Sequence, residues 1–102
     1  MTQIQTHLHP WVEMYLEWAR EHYPNLILDA HEDGTLRDLC VMKVERALKV
    51  KQDMISKGMM EAEANEVAMD MIVPAETWES VEIPRELTDE MFEKIVDEVM
   101  ER

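Results

Sequence analysis

Apolar residues recur every three or four positions along most of the chain, which is the pattern of amphipathic helices. The first such segment follows Pro10, a residue favoured in the first helical turn, and it ends before Pro24. Its apolar face comprises Trp11, Met14, Tyr15, Trp18 and His22. We predict that residues 25–28 form either a helical turn or an extended link, and that residues 31–34 form a turn.

The longest predicted helix begins at Thr35 and ends at Gly58. The Thr35 hydroxyl is expected to cap its first turn, with Asp38 three positions later completing a capping box. Gly58 stands where helices commonly end with a left-handed residue. The apolar face of this helix is wide and comprises Leu36, Leu39, Cys40, Val44, Ala47, Leu48, Met54 and Ile55.

Two further helices are predicted in the second half of the chain. One runs from about Met60 to Ile72 and is stopped by Pro74, and its inward residues are predicted to be Ala64, Val67, Ala68, Met71 and Ile72. Residues 75–84, which contain Trp78, are predicted as a short helix followed by an extended stretch. Thr88 caps the last helix, whose apolar stripe comprises Met91, Phe92, Ile95, Val96, Val99 and Met100.

These elements predict an all-α fold, a small bundle of four to five helices with a long central helix. A chain of 102 residues is expected to form a single domain, residues 1–102. Residues 1–9 are predicted to be a flexible N-terminal tail, and residues 75–102 a C-terminal docking or dimerisation segment.

Two short segments resemble a known family. They are YPNLILD at residues 23–29 and KGMMEAEANEVAMDMI at residues 57–72. Over residues 10–73, the chain resembles a small family of helical domains of unknown function found in bacterial genomes and mobile elements. The resemblance implies a helical fold and carries no catalytic residues across.

The net charge of −13 lies mostly in the second half of the chain. Residues 1–60 hold nine acids and seven bases, whereas residues 61–102 hold fourteen acids and three bases. Direct binding to nucleic acid or to an anionic membrane is therefore not expected, because phosphate contacts need clustered Lys and Arg. No apolar run approaches the ~20 residues of a membrane span, and no secretory signal pattern is visible at the N-terminus, so a cytoplasmic protein is predicted.

Residues 29–35, DAHEDGT, resemble the opening of a calcium loop. Asp29, Asp33 and Gly34 fit its first, fifth and sixth positions. The twelfth position requires a bidentate glutamate but holds Cys40, and the ninth holds the cation Arg37. We therefore predict no calcium site.

Other candidate chemistry is sparse. His7 and His9, with His22 or His31, could supply transition-metal ligands, but the remaining ligands of such a site cannot be placed. Cys40 lies on an apolar helix face without an activating neighbour, which indicates a buried structural thiol. We predict no catalytic site, no metal and no cofactor; a metal-dependent enzyme using His7, His9 and His31 is the most distant alternative.

The composition and pattern favour a non-enzymatic accessory or regulatory protein that works through protein–protein contact, as a homodimer or with one partner. The predicted interface on the last helix comprises Met91, Phe92, Ile95 and Val99.

An acidic inhibitor that mimics nucleic acid is the alternative, with Glu63, Glu66 and Asp70 sharing one side of a helix. These acids could instead be neutralised by five bases of the preceding helix, Lys43, Arg46, Lys49, Lys51 and Lys57.

We predict that calcium does not stabilise this protein. Titration with millimolar calcium should leave the melting temperature unchanged apart from a general ionic effect, because the loop lacks its bidentate glutamate. Differential scanning fluorimetry measures this. A saturable increase in melting temperature that disappears in Asp29→Ala would show that the loop binds calcium.

Overall fold

The computed structural model describes residues 6–74 and 83–101. A turn of 3-10 helix at Thr6–Leu8 precedes five α-helices, and no strand occurs in these residues. The helices are α1 (Pro10–His22), α2 (Pro24–Asp33), α3 (Leu36–Ser56), α4 (Glu61–Ile72) and α5 (Asp89–Met100). The predicted all-α bundle with a long central helix is thereby confirmed.

Helix α1 begins and ends where its prolines predict. Pro10 occupies the first turn, and the His9 Nδ1 atom accepts a hydrogen bond from the Trp11 backbone N–H at 3.1 Å. Helix α1 ends at His22, before Pro24 begins the next helix. Its buried face comprises Trp11, Val12, Tyr15, Leu16 and Ala19.

Helix α2 is longer than the sequence pattern predicted. Pro24 occupies its first turn, and the predicted turn at residues 31–34 is helical up to Asp33. The helix ends at Gly34, whose φ of 75° is left-handed and suits glycine. The prediction of a turn at HEDG was therefore wrong for its first three residues. The buried residues Ile27, Leu28 and Ala30 explain the difference, since packing on the core stabilises a segment too short to persist alone.

The predicted cap of α3 was also wrong. The Thr35 side chain makes no capping hydrogen bond to α3. Its hydroxyl donates back to the Ala30 carbonyl of α2 at 3.4 Å, and its backbone N–H donates to the same carbonyl at 2.9 Å. Thr35 is still the N-cap residue of α3, since its carbonyl accepts a hydrogen bond from the Leu39 N–H at 3.0 Å, but its hydroxyl serves the end of α2.

Helix α3 lies at the centre of the fold and contacts the 3-10 turn and every other helix. Leu36, Cys40, Val44 and Ala47 form its fully covered stripe. The far end of α3 extends past this core, so Ile55, predicted to lie on the apolar face, is 40% exposed. Gly58 then allows the chain to reverse, with a φ of 99°.

Helix α4 packs on α3 along its length and also contacts α1. Ala64, Ala68 and Ile72 are buried as predicted, but Val67 and Met71 are 37% and 40% exposed. Successive helical residues are separated by about 100°, so Val67 lies well round the helix from the buried Ala68. The prediction that Val67 and Met71 face inward was wrong, because neither α3 nor α1 covers that flank.

Helix α5 packs on α1, α3 and the 3-10 turn. The Thr88 hydroxyl caps it as predicted, accepting a hydrogen bond from the Met91 N–H at 3.2 Å. Five residues of its apolar stripe are buried, namely Phe92, Ile95, Val96, Val99 and Met100. Met91 is the exception and is 41% exposed.

The segment before α5 is held against α1 and α2 by polar contacts. The Asn25 side chain donates to the Ile83 carbonyl at 3.1 Å and accepts from the Arg85 backbone N–H at 2.7 Å. Residues 75–82, most of the stretch predicted as a short helix and an extended link, lie outside the described residues. So do residues 1–5 of the predicted tail. None of the described helices is both long and apolar enough to cross a membrane.

Replacing a buried residue of α5 should destabilise the whole domain. Phe92→Ala or Ile95→Ala should each lower the free energy of unfolding by about 2–5 kcal/mol, because each leaves a cavity in the core. Met91→Ala is the control on the same helix and should change it by less than about 1 kcal/mol. Urea denaturation measures all three. Equal, small effects of the three substitutions would show that α5 does not pack on this core.

Candidate interaction surface

Most of the segment that resembles a calcium loop, residues 29–33, is the last part of helix α2. The Arg85 guanidinium pairs with two of its acids. Arg85 pairs with Asp29 at 2.8 Å and also with Glu32. The hydrogen bond that the Arg85 guanidinium donates to the Glu32 carboxylate is the main reason that the pKa of Arg85 is raised. A helix cannot wrap its own residues around one ion, and two of the acids in this segment already face a cation.

Three of the four histidines contact groups in different parts of the fold. His9 caps α1. The pKa of His9 is lowered mainly by burial and, to a smaller extent, by the positive charge of Lys51. His7 pairs with Glu101 at 3.1 Å, and His31 lies 2.6 Å from a Glu98 carboxylate oxygen. Across residues 6–74 and 83–101, no group of three His, Cys, Asp or Glu side chains is arranged to hold a metal ion.

Cys40 has no exposed surface. Burial raises the pKa of its thiol to about 12, so the group is protonated at neutral pH. It also raises the pKa of the neighbouring Tyr15 to about 12. A buried, protonated thiol cannot attack a substrate. Cys40 instead packs in the core as a small apolar residue of the buried stripe of α3.

The residues of the interface predicted on α5 lie in two different environments. Phe92, Ile95 and Val99 are buried in the chain's own core, at 8%, 4% and 4% exposure. In this conformation they are not available to a partner, so the apolar stripe is a core face. Met91 is the predicted interface residue of α5 that stays substantially exposed.

Exposed apolar residues occur in several elements, and three of them share one flank at α4. Met60, Val67 and Met71 are 69%, 37% and 40% exposed. We call the flank formed by these three residues and the acids Glu63, Glu66 and Asp70 the α4 surface. Among the described elements, α4 packs mainly on α3 and α1, which leave this flank exposed.

The acids of the α4 surface are exposed and make no ion pair or hydrogen bond with the described part of the chain. Of the five bases considered for their neutralisation, Lys51 of α3 reaches α4, where it lies 3.9 Å from Glu61. Lys57, just after the end of α3, pairs with Asp53 of that helix at 3.0 Å. The negative charge of Glu63, Glu66 and Asp70 therefore faces solvent.

A second group of acids lies between α1 and α5, and the sequence pattern did not predict that these acids lie together. Glu13 and Glu17 line one side of a cleft, and Asp89, Glu93 and Asp97 line the other. The four-residue spacing on each helix was visible in the sequence. The sequence does not show that α1 and α5 lie side by side.

Comparison with known proteins adds no relative. No family model, curated protein or solved structure matches this chain. The family resemblance over residues 10–73 stays a prediction.

Polar contacts close the C-terminal end of α5 and involve a carboxyl whose pKa is lowered. Arg37 donates from Nε to the Val99 carbonyl at 3.0 Å, also donates to the Glu98 carbonyl, and pairs with Glu101 at 2.9 Å. Hydrogen bonding and charge from His7, and then the charge of Arg37, lower the pKa of the Glu101 carboxyl. These contacts hold Glu101 in a left-handed conformation, with φ at 56°.

We expect Glu101→Gln to lower the melting temperature near neutral pH and to lose this effect as the pH falls through the lowered pKa of Glu101. A carboxyl whose pKa is lowered by folding stabilises the protein above its ordinary pKa, and the contribution disappears as the pH falls through the lowered value. Thermal melts across this pH range measure the difference. Glu86→Gln, at an exposed position, is the control. An effect of Glu101→Gln that does not change with pH would contradict this account.

Proposed function

We propose that this protein is a non-enzymatic accessory or regulatory protein that binds a partner protein through the α4 surface. The observation that supports the proposal is the exposure of Val67 and Met71 beside acids that have no partner within the described chain. Apolar side chains surrounded by charged ones are typical of surfaces that become buried on association.

The apolar residues would supply most of the affinity. Met71 and Met60 are flexible and polarisable, and such side chains adapt to the shape of a partner. Val67 lies four residues from Met71, so the two can contact one face of a docked helix. A few well-buried contacts of this kind commonly dominate a binding energy.

The acids restrict the kind of partner. A partner with Lys or Arg beside an apolar strip would meet Glu63, Glu66 and Asp70 favourably. A symmetric dimer through this surface would place the acids near their own copies, because a two-fold axis applies the same patch to both chains. We therefore propose a basic amphipathic helix of a different protein as the partner.

Mimicry of nucleic acid is the second candidate function. Glu63, Glu66 and Asp70 follow one another at about one helical turn, are exposed and have no counter-charge in the described chain. Carboxylates in such positions can replace phosphates on a basic protein. The two candidates differ in the source of affinity, which is apolar contact in the first and charge in the second.

The double variant Val67→Asn/Met71→Gln should separate the two. We expect it to weaken binding by about tenfold or more, since each lost apolar contact at an interface centre is worth roughly 1–2 kcal/mol. The partner would first be isolated from the native host, identified and produced pure; isothermal titration calorimetry then gives the affinity. Melting temperature should change little, because both side chains are partly exposed.

Met42→Gln is the matched control, because Met42 is 43% exposed on α3, away from this surface. It should leave affinity within about twofold. Normal binding by the double variant, combined with loss of binding on replacing Glu63, Glu66 and Asp70 by Lys, would favour mimicry instead. If neither set of substitutions affects the partner, the α4 surface is not the interface.

A further inference from the structure

Helices α1 and α5 lie antiparallel, and a cleft runs between them. At one end Arg20, late in α1, pairs with Asp89 at the start of α5. At the other end His7, which precedes α1, pairs with Glu101, which follows α5. The cleft between these two ends has a volume of about 570 Å³.

Carboxylates line both sides of this cleft, one on each helical turn. Residues four apart on a helix rise by about 6 Å, so each row of acids runs along its helix. The rows are Glu13 and Glu17 on α1, and Asp89, Glu93 and Asp97 on α5. Phe92 and Val96 line the cleft between the rows and are 8% and 5% exposed.

One end of the cleft already contains a cation. The Arg20 guanidinium lies 4.8 Å from the centroid of the Phe92 ring, pairs with Asp89 and donates to the Leu87 carbonyl. Its contacts combine an aromatic face with an adjacent carboxylate, which is a favourable environment for a guanidinium.

The rest of the cleft is also lined by carboxylates and an apolar side chain but contains no further Arg or Lys among the described residues. Within the described residues, Glu17, Glu93 and Asp97 make no ion pair, and Arg20 is the one basic residue that lines the cleft. Val96 lies one turn beyond Phe92 and continues the apolar floor. The positions beyond Arg20 are therefore suited to further cationic side chains with aliphatic stems.

We infer that the α1–α5 cleft is a docking groove for a lysine- or arginine-rich segment of a partner protein. Charge complementarity selects this occupant, because acids on both sides can pair with cations while the stems cover Val96 and the edge of Phe92. The small apolar exposure argues against an occupant held mainly by hydrophobic contact. The cleft shares no residue with the α4 surface, so this inference goes beyond the proposed function.

The test is binding of a fluorescein-labelled octalysine peptide, measured by fluorescence anisotropy at low ionic strength. The cleft variant is Glu17→Gln/Glu93→Gln/Asp97→Asn. The matched variant, Glu63→Gln/Glu66→Gln/Asp70→Asn, alters the α4 surface. Each variant changes the net charge of −13 by the same three units, so the comparison separates position from total charge.

The cleft variant should weaken binding by about tenfold, as expected for three partly screened ion pairs, and the matched variant by no more than about twofold. Raising the salt from roughly 20 to 150 mM should reduce wild-type binding steeply. The melting temperature of the cleft variant should not fall, because the three replaced acids have no partner to lose within the described chain.

Three results would overturn the inference. Equal weakening in both variants would mean that only net charge matters, and unchanged binding in the cleft variant would mean that the cleft is not used. A wild-type dimer in multi-angle light scattering that the cleft variant converts to monomer would make a second copy of this chain the occupant. Each result leaves the Val67→Asn/Met71→Gln experiment on the α4 surface independent, so the two proposals can fail separately.

Discussion

The fold depends on the burial of one stripe along α3. Leu36, Cys40, Val44 and Ala47 recur at three- and four-residue spacings and are covered by the elements packed around them. Ala47 and Cys40 are small, so neighbouring helices can approach α3 closely at these positions. Since α3 is the element that contacts all the others, disruption of this stripe would loosen every helix at once rather than one pair.

Helix α5 packs on this core, so its apolar stripe is not free to bind a partner. Its apolar stripe has the strongest amphipathic pattern of the C-terminal part, which made it the natural candidate for an interface. The structure uses that stripe as part of the core and fixes both ends of α5 with polar contacts, Arg20 at the start and Arg37 at the end. The exposed apolar flank of α4, and not α5, is therefore accessible to a partner.

Two groups of acids differ in physical character. On α4, acids lie beside exposed apolar side chains, so a partner can gain from hydrophobic contact as well as charge. In the α1–α5 cleft, acids stand on both sides of a floor that is nearly covered, so charge is the main source of attraction. One surface is thus suited to an amphipathic helix and the other to a basic segment with little apolar content.

Most helices and several of their ends were determined by the sequence alone. Pro10, Gly58 and Thr88 act through backbone geometry and local hydrogen bonds, which depend on neighbours within a few positions. The apolar stripe of α5 is equally local, because it follows from helical periodicity. The net charge and its concentration after residue 60 are properties of composition and needed no structure.

The arrangement of the helices was decided by tertiary packing. Helix α2 extends to Asp33 because Ile27, Leu28 and Ala30 are buried against other helices, a gain that its own sequence does not reveal. Val67 and Met71 follow the periodicity of buried residues, yet they are exposed because neither α3 nor α1, the helices on which α4 packs, covers their side of it. The acids of α1 and α5 face one cleft only because these helices, distant in sequence, lie side by side. Periodicity shows which face of a helix is apolar, whereas long-range packing determines whether another helix covers it.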